Sequence, residues 1–171
     1  MRVGLTISGL ALACLPVLTP HPARADACDT LMAAMVAQSK VPYAATTTTT
    51  LPGQPVTHGE VVATSDTMYI KVMGTWQSMK FNAQESIKQA QEKAKTAKRT
   101  CQLVGADTVN GVSATLYADH AENRGTSIES RIWIADGSGL PAQVEFRFGN
   151  NGGSELMQYR YDNIQAPVGA K

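Results

Sequence analysis

Few side chains in this sequence of 171 residues stand where chemistry would need them. His58, His120, Cys28 and Cys101 are the metal-ligating or nucleophilic types beyond the leader-like first segment. Neither histidine stands at metal-ligand spacing from a cysteine or from the other histidine, and both read as solvated surface residues. Asp119, beside His120, and Asp162, after Tyr161, form no acid/base set, because the acids of the strand-like segments alternate outward with lysines and arginines. There is no Gly-x-Ser-x-Gly elbow, no phosphate-cradling glycine loop ahead of a helix and no dinucleotide fingerprint. Arg124-Gly125 and Asp136-Gly137-Ser138-Gly139 read as loop and turn. The sequence therefore predicts no catalytic residue, no metal and no cofactor. Loss of a hydrolase activity on changing His58 or His120 would be needed to revive an enzymatic reading.

The two cysteines have a structural reading. Arg2 is followed by an apolar run from Val3 to Leu15, a proline-rich stretch from Pro16 to Pro22, and Ala23-Arg24-Ala25 before Asp26. A basic start, a short apolar core and an Ala-x-Ala site make a secretory signal, with cleavage expected between Ala25 and Asp26. Cys14 is preceded by Ala11-Leu12-Ala13. That is a poor match to a lipoprotein signal, so lipidation there is the lesser alternative. An exported chain with the cysteine pair Cys28 and Cys101 predicts a disulfide, and closing so long a loop is worth about 4 kcal/mol. A reactive cysteine is the alternative, without a Cys-x-x-Cys spacing to support it. Removing Arg2 and Arg24 from the 15 basic residues leaves one more acid than base. This balance argues against a nucleic-acid partner. No later run is apolar enough for a membrane span.

The elements around these residues can be read from period. Ala27 to Ser39 is predicted helical, with Leu31, Met32, Met35 and Val36 in one stripe, Asp26 or Asp29 as cap and Pro42 as stop. The period then falls to two. Tyr43 to Leu51, with threonine from Thr46 to Thr50, is a strand. Pro52-Gly53 suits a type II turn. Val56 to Thr64, Thr67 to Met73 and Trp76 to Phe81 continue a meander, with Met68, Ile70 and Val72 on one face. Residues 82–99 are helical, capped by Asn82 with Glu85 three residues on. Ala83, Ile87, Ala90, Ala94 and Ala97 make a small-residue stripe. Lys93, Lys95, Lys98 and Arg99 crowd its C-terminal end, either as a solvated, dipole-matched terminus or as a patch for anionic headgroups or an acidic partner.

Strands follow to the end. Asn110-Gly111 signals a type I′ hairpin between Val104–Val109 and Val112–Ala118. In Ile128 to Ala135, Ile128, Ile132 and Ile134 face one side. In Ala142 to Phe148, Ala142, Val144, Phe146 and Phe148 face inward. Leu156 to Ile164 is the last strand, with Met157, Tyr159 and Tyr161 on one face. The fold class is α+β: a curved antiparallel sheet, an incomplete β-barrel, with helices over its concave face. The domains are a signal peptide over 1–25, one domain over 26–167 and a frayed tail over 168–171.

This order resembles the periplasmic lipoprotein-carrier (LolA-like) superfamily, which sorts lipoproteins to the bacterial outer membrane. The segments that carry the likeness are Ser65-Asp66-Thr67-Met68-Tyr69-Ile70, Val109 to Tyr117, Ile132 to Pro141 and Tyr161-Asp162-Asn163-Ile164. The resemblance implies a carrier or lipid sensor: a cup that holds a lipid or the acyl chain of a lipoprotein, without catalysis. A cup in this chain would be walled by Met68, Ile70, Val72, Leu116, Ile132, Ile134, Val144, Phe146 and Phe148. Monomer is the expected state and the periplasm the expected compartment. The rival expectation is an envelope protein–protein interaction module with a solid core, binding through an edge strand or the threonine-rich hairpin, where Thr46 to Thr50 offers unpaired amides if it lies at a sheet edge.

Overall fold

The computed structural model describes residues 25–123, 125–149 and 152–169. The first 24 residues, which hold Cys14 and all but the last residue of the expected signal peptide, together with Arg124, Asn150, Asn151 and the last two residues of the tail, lie outside the described residues. Two helices and nine strands follow in the order α1 Ala25–Gln38, β1 Tyr43–Thr50, β2 Thr57–Ala63, β3 Thr67–Val72, β4 Thr75–Lys80, α2 Ala83–Thr96, β5 Lys98–Val109, β6 Val112–Asn123, β7 Thr126–Ala135, β8 Pro141–Phe148 and β9 Gly153–Arg160. All strands pair antiparallel in a single sheet of order β4-β3-β2-β1-β9-β8-β7-β6-β5.

The turns follow residue chemistry. Asn110 (φ 53°) and Gly111 (φ 76°) are both left-handed, as a type I′ hairpin requires. Gly53 sits at φ 71° while Gln54 N–H donates to the Leu51 carbonyl at 3.1 Å, the geometry of a type II turn with Pro52 ahead of its glycine. Asn82 caps α2 by accepting the Glu85 N–H at 3.1 Å.

The condition set for binding through Thr46 to Thr50 is not met. The threonine strand β1 is not an edge; it lies between β2 and β9, and the free edges are β4 and β5. The β1–β9 pairing joins the two ends of the chain (Thr47 opposite Met157, Ala45 opposite Tyr159). This also fixes the path of α2, which carries the chain from the β4 edge to the opposite β5 edge. Fourteen helical residues rise about 21 Å, enough to span the mouth of a bent sheet. The bend has local causes. Register shifts occur between Leu103 and Gly105 in β5, and at Trp133/Ile134, where Ala142 is the extra residue on β8. Such bulges increase the twist and kink the strand.

The sheet has apolar residues on both faces. On the concave side Leu31 and Ala34 of α1 pack on Cys101, Ile132, Ile134 and Val144. On the convex side Val109, Ala114, Leu116, Trp133 and Ala142 form a second cluster. Trp133 Nε1–H donates to Asp107 at 2.8 Å, and the Arg131 guanidinium lies 5.0 Å from its ring centre, so polar groups cover an outward-facing indole. The Trp133 hydrogen bond and the Thr108 N–H hold the Asp107 carboxyl below its ordinary range.

Candidate functional site

A cavity of about 500 Å³ lies between the concave sheet face and the two helices, within the range of roughly 300–1,000 Å³ typical of small-molecule sites. Leu31, Met32, Met35 and Gln38 of α1 form one wall, and Ala90, Lys93, Ala94 and Ala97 at the α2 end form another. The floor includes Ile128, Ile132, Ile134, Val144, Phe146 and Tyr159. A smaller hollow of about 140 Å³ continues between the helices past Ile87, Tyr43 and Phe81, sharing Met32, Met35, Gln38 and Ala90 with the first.

The helices are held differently. Cys28 of α1 is disulfide-bonded to Cys101 of β5, with Cα atoms 5.1 Å apart, and Leu31 is 1% exposed. By contrast α2 has no buried residue. Its inward stripe is alanine, which leaves space beneath the helix instead of filling it.

Polar groups mark two places in the wall. Arg99 makes a two-pronged pair with Asp119, Nε to Oδ1 at 2.7 Å and Nη2 to Oδ2 at 3.1 Å. Cys101 Sγ lies 3.6 Å from the same Oδ1, so the ion pair sits beside the disulfide. At the other end Gln38 Nε2–H donates to the Tyr161 hydroxyl at 3.0 Å, and Tyr161 O–H donates to the Pro141 carbonyl at 2.7 Å. Tyr159 lies against Tyr43 edge-on at 5.7 Å and against Tyr161 in a stack at 6.4 Å. Burial pushes the Tyr159 hydroxyl up to about 12, and burial raises Tyr161 and Tyr43 as well.

The sequence-selected wall residues divide by strand position. Ile132, Ile134, Val144 and Phe146 line the cavity. Phe148 shares their face through its pairing with Ile128 but lies at the strand end, outside the lining. Met68 and Ile70 share the face through Ala63 and Val61, toward the β4 edge and away from the cavity, and Val72 is 42% exposed beyond them. Leu116 requires correction: paired with Trp133, it is 4% exposed within the convex cluster and faces away from the cavity. The helical contributions and the Arg99–Asp119 pair were not singled out as walls. The Leu31/Met35 and Ala90/Ala94/Ala97 spacings are the signals that point to them. His58 is exposed, its Nδ1 3.2 Å from Thr48 Oγ1, and His120 is exposed on β6. Among the described residues no group of three His, Cys, Asp or Glu side chains could hold a metal ion.

A bent, unclosed antiparallel sheet with two helices over its hollow defines an incomplete-barrel class of fold. No family model and no curated protein matches the sequence. Solved structures do. MucB of Pseudomonas aeruginosa, in its complex with MucA, is 15% identical over 82% of this chain and 59% of its own, with a TM-score of 0.53. This chain thus spans about 60% of MucB's length. LprF from Mycobacterium bovis is 13% identical over 84% of this chain and 95% of its own, at TM-score 0.46. A LolA superfamily protein from Nitrosomonas europaea is 8% identical over 78% and 91%, at TM-score 0.32. At these identities the likeness speaks to the fold alone. Among the described residues no helix is long and apolar enough to cross a membrane.

Proposed function

We propose that this chain is an exported, non-enzymatic protein of the periplasm that binds or carries a lipid, or the acyl chain of a lipoprotein, in the cavity between its helices and sheet. The observation that carries this reading is the hollow itself: about 500 Å³, with aliphatic, methionine and aromatic side chains over most of its wall. Burying an acyl chain there gains about 0.8 kcal/mol per methylene. Methionine side chains adapt to irregular ligands, and Met32 and Met35 stand where such adaptation is useful. The disulfide suits an oxidising compartment. The test is native mass spectrometry of protein purified from an envelope fraction, with uptake of a fluorescent fatty acid. Co-purified lipid and saturable uptake support the proposal; the absence of both overturns it.

One observation favours a second reading, an envelope interaction module. MucB, which shares the fold, is seen in complex with MucA. A partner of this chain that binds unchanged when the cavity is blocked by substitution would favour that reading over carriage.

A further inference from the structure

The cavity is apolar in its depth but charged at one end, and the charges do not cancel. Asp119 is its carboxylate and is engaged on both oxygens by Arg99. Lys93 remains. It follows Ala90 by three residues and precedes Ala94 and Ala97 on the inward stripe of α2, so its methylene stem belongs to the wall. Its residue is exposed overall, which places the ammonium at the rim, where a long cationic side chain keeps its head in water. Among the described residues Lys93 has no ion-pair partner, whereas Lys95, which does not line the cavity, is held by Glu92 at 2.8 Å. Arg99 spends Nε and Nη2 on Asp119, and its Nη1 makes no described hydrogen bond. Greasy depth under an unopposed cation is complementary to one kind of ligand.

We infer that the cavity takes an amphiphile with an anionic headgroup, its tail in the hollow and its acidic group held at the rim by Lys93, with Arg99 Nη1 as a second donor. This rests on the cavity reading above and adds the headgroup to it. A charge-assisted bond to an oxyanion at a partly screened rim is worth about a fivefold preference, and that preference weakens with salt, as exposed charge pairs do.

Equilibrium dialysis of the purified protein against radiolabelled dodecyl phosphate, dodecanol and inorganic phosphate tests it. The wild type binds dodecyl phosphate about fivefold more tightly than dodecanol, the gap narrows as salt is added, and inorganic phosphate alone is not retained. Lys93→Gln closes the gap by weakening only dodecyl phosphate, while Lys95→Gln preserves it. Equal wild-type affinity for the two amphiphiles, or equal effects of the two lysine substitutions, overturns the headgroup assignment and leaves the cavity reading standing. Retention of inorganic phosphate without either amphiphile overturns it in favour of a simple anion site. Failure of both amphiphiles to bind, with no phosphate retained, overturns the cavity reading with it.

Discussion

Removing the Cys28–Cys101 bond tests both the fold and the role of α1 as a fixed wall. The bond joins residues 73 apart in sequence, and loop closure over that length stabilises the native state by about 4 kcal/mol. Alanine at both positions is the right perturbation. Serine at the fully buried position 101 would place a hydroxyl beside Asp119 Oδ1, confounding lost cross-linking with a new polar contact. For a domain of this size each kcal/mol moves the melting temperature by roughly 2–4 °C, so the double variant should melt about 10–15 °C lower. Circular dichroism of the wild type and the double variant supplies that number. Hydrogen exchange supplies its location. Without the bond, α1 is held by Leu31 and Ala34 on Ile132, Ile134 and Val144, so its amides should lose protection ahead of β6, β7 and β8. A melting temperature within about 3 °C of wild type, a shift worth no more than roughly 1.5 kcal/mol, together with unchanged α1 exchange, would refute the reasoning.

Four further outcomes follow from particular positions. Ala94→Trp puts an indole where the α2 stripe leaves space and should abolish fatty-acid uptake with little change in melting temperature. Leu116→Ala should instead cost about 2–5 kcal/mol in a urea titration and leave uptake per folded molecule unchanged, because Leu116 faces the opposite cluster. Stability should fall as pH rises from 10 toward 12. The unfolded chain releases the tyrosine proton near 10.0 while folded Tyr159 keeps it to about 12, so the folded state binds more protons across that window. The slope approaches 1.4 kcal/mol per pH unit for each such tyrosine, readable from unfolding midpoints against phenolate absorbance. Gly111→Ala, at φ 76°, should lower stability by about 1 kcal/mol in the same titration.

The elements were legible wherever a local rule sufficed. Asn110-Gly111 and Pro52-Gly53 specify their turns through backbone conformations that those residue pairs favour, and the Ile128, Ile132 and Ile134 alternation survives as cavity wall. Reading failed where a choice depended on distant chain. Nothing in Thr46 to Thr50 announces that β9, more than a hundred residues later, will pair with it and remove its edge. Strand β6 carries apolar residues on both faces, with Ala114 and Leu116 on one and Tyr117 on the other, so alternation alone does not say which face meets the helices. The start of β5 was hidden because Lys98 and Arg99 resemble a cationic helix terminus. In the fold, Arg99 points inward to Asp119 and Lys98 pairs across to Glu122 as ordinary strand.

The fold does not by itself decide between a cup and a solid core. What decides is the content of the stripe that crosses the mouth. The chain must pass from the β4 edge to the β5 edge, and it does so through α2, whose inward residues near its C-terminal end are Ala90, Ala94 and Ala97. Leucines at those three positions would add several methylene-sized groups each and press them against Ile128, Ile132 and Phe146, and a close-packed interior leaves few voids larger than a water molecule. The alanines bury little area, so α2 draws little stability from the sheet and has no buried residue of its own. On the other side the disulfide holds α1 in place by covalent bond as well as by packing. Retaining a weakly packed helix over an apolar hollow is costly unless something else fills the space. That asymmetry, one wall fixed and one held lightly, is what the proposed carrier reading requires, because a cup must keep its interior clear of the protein's own side chains.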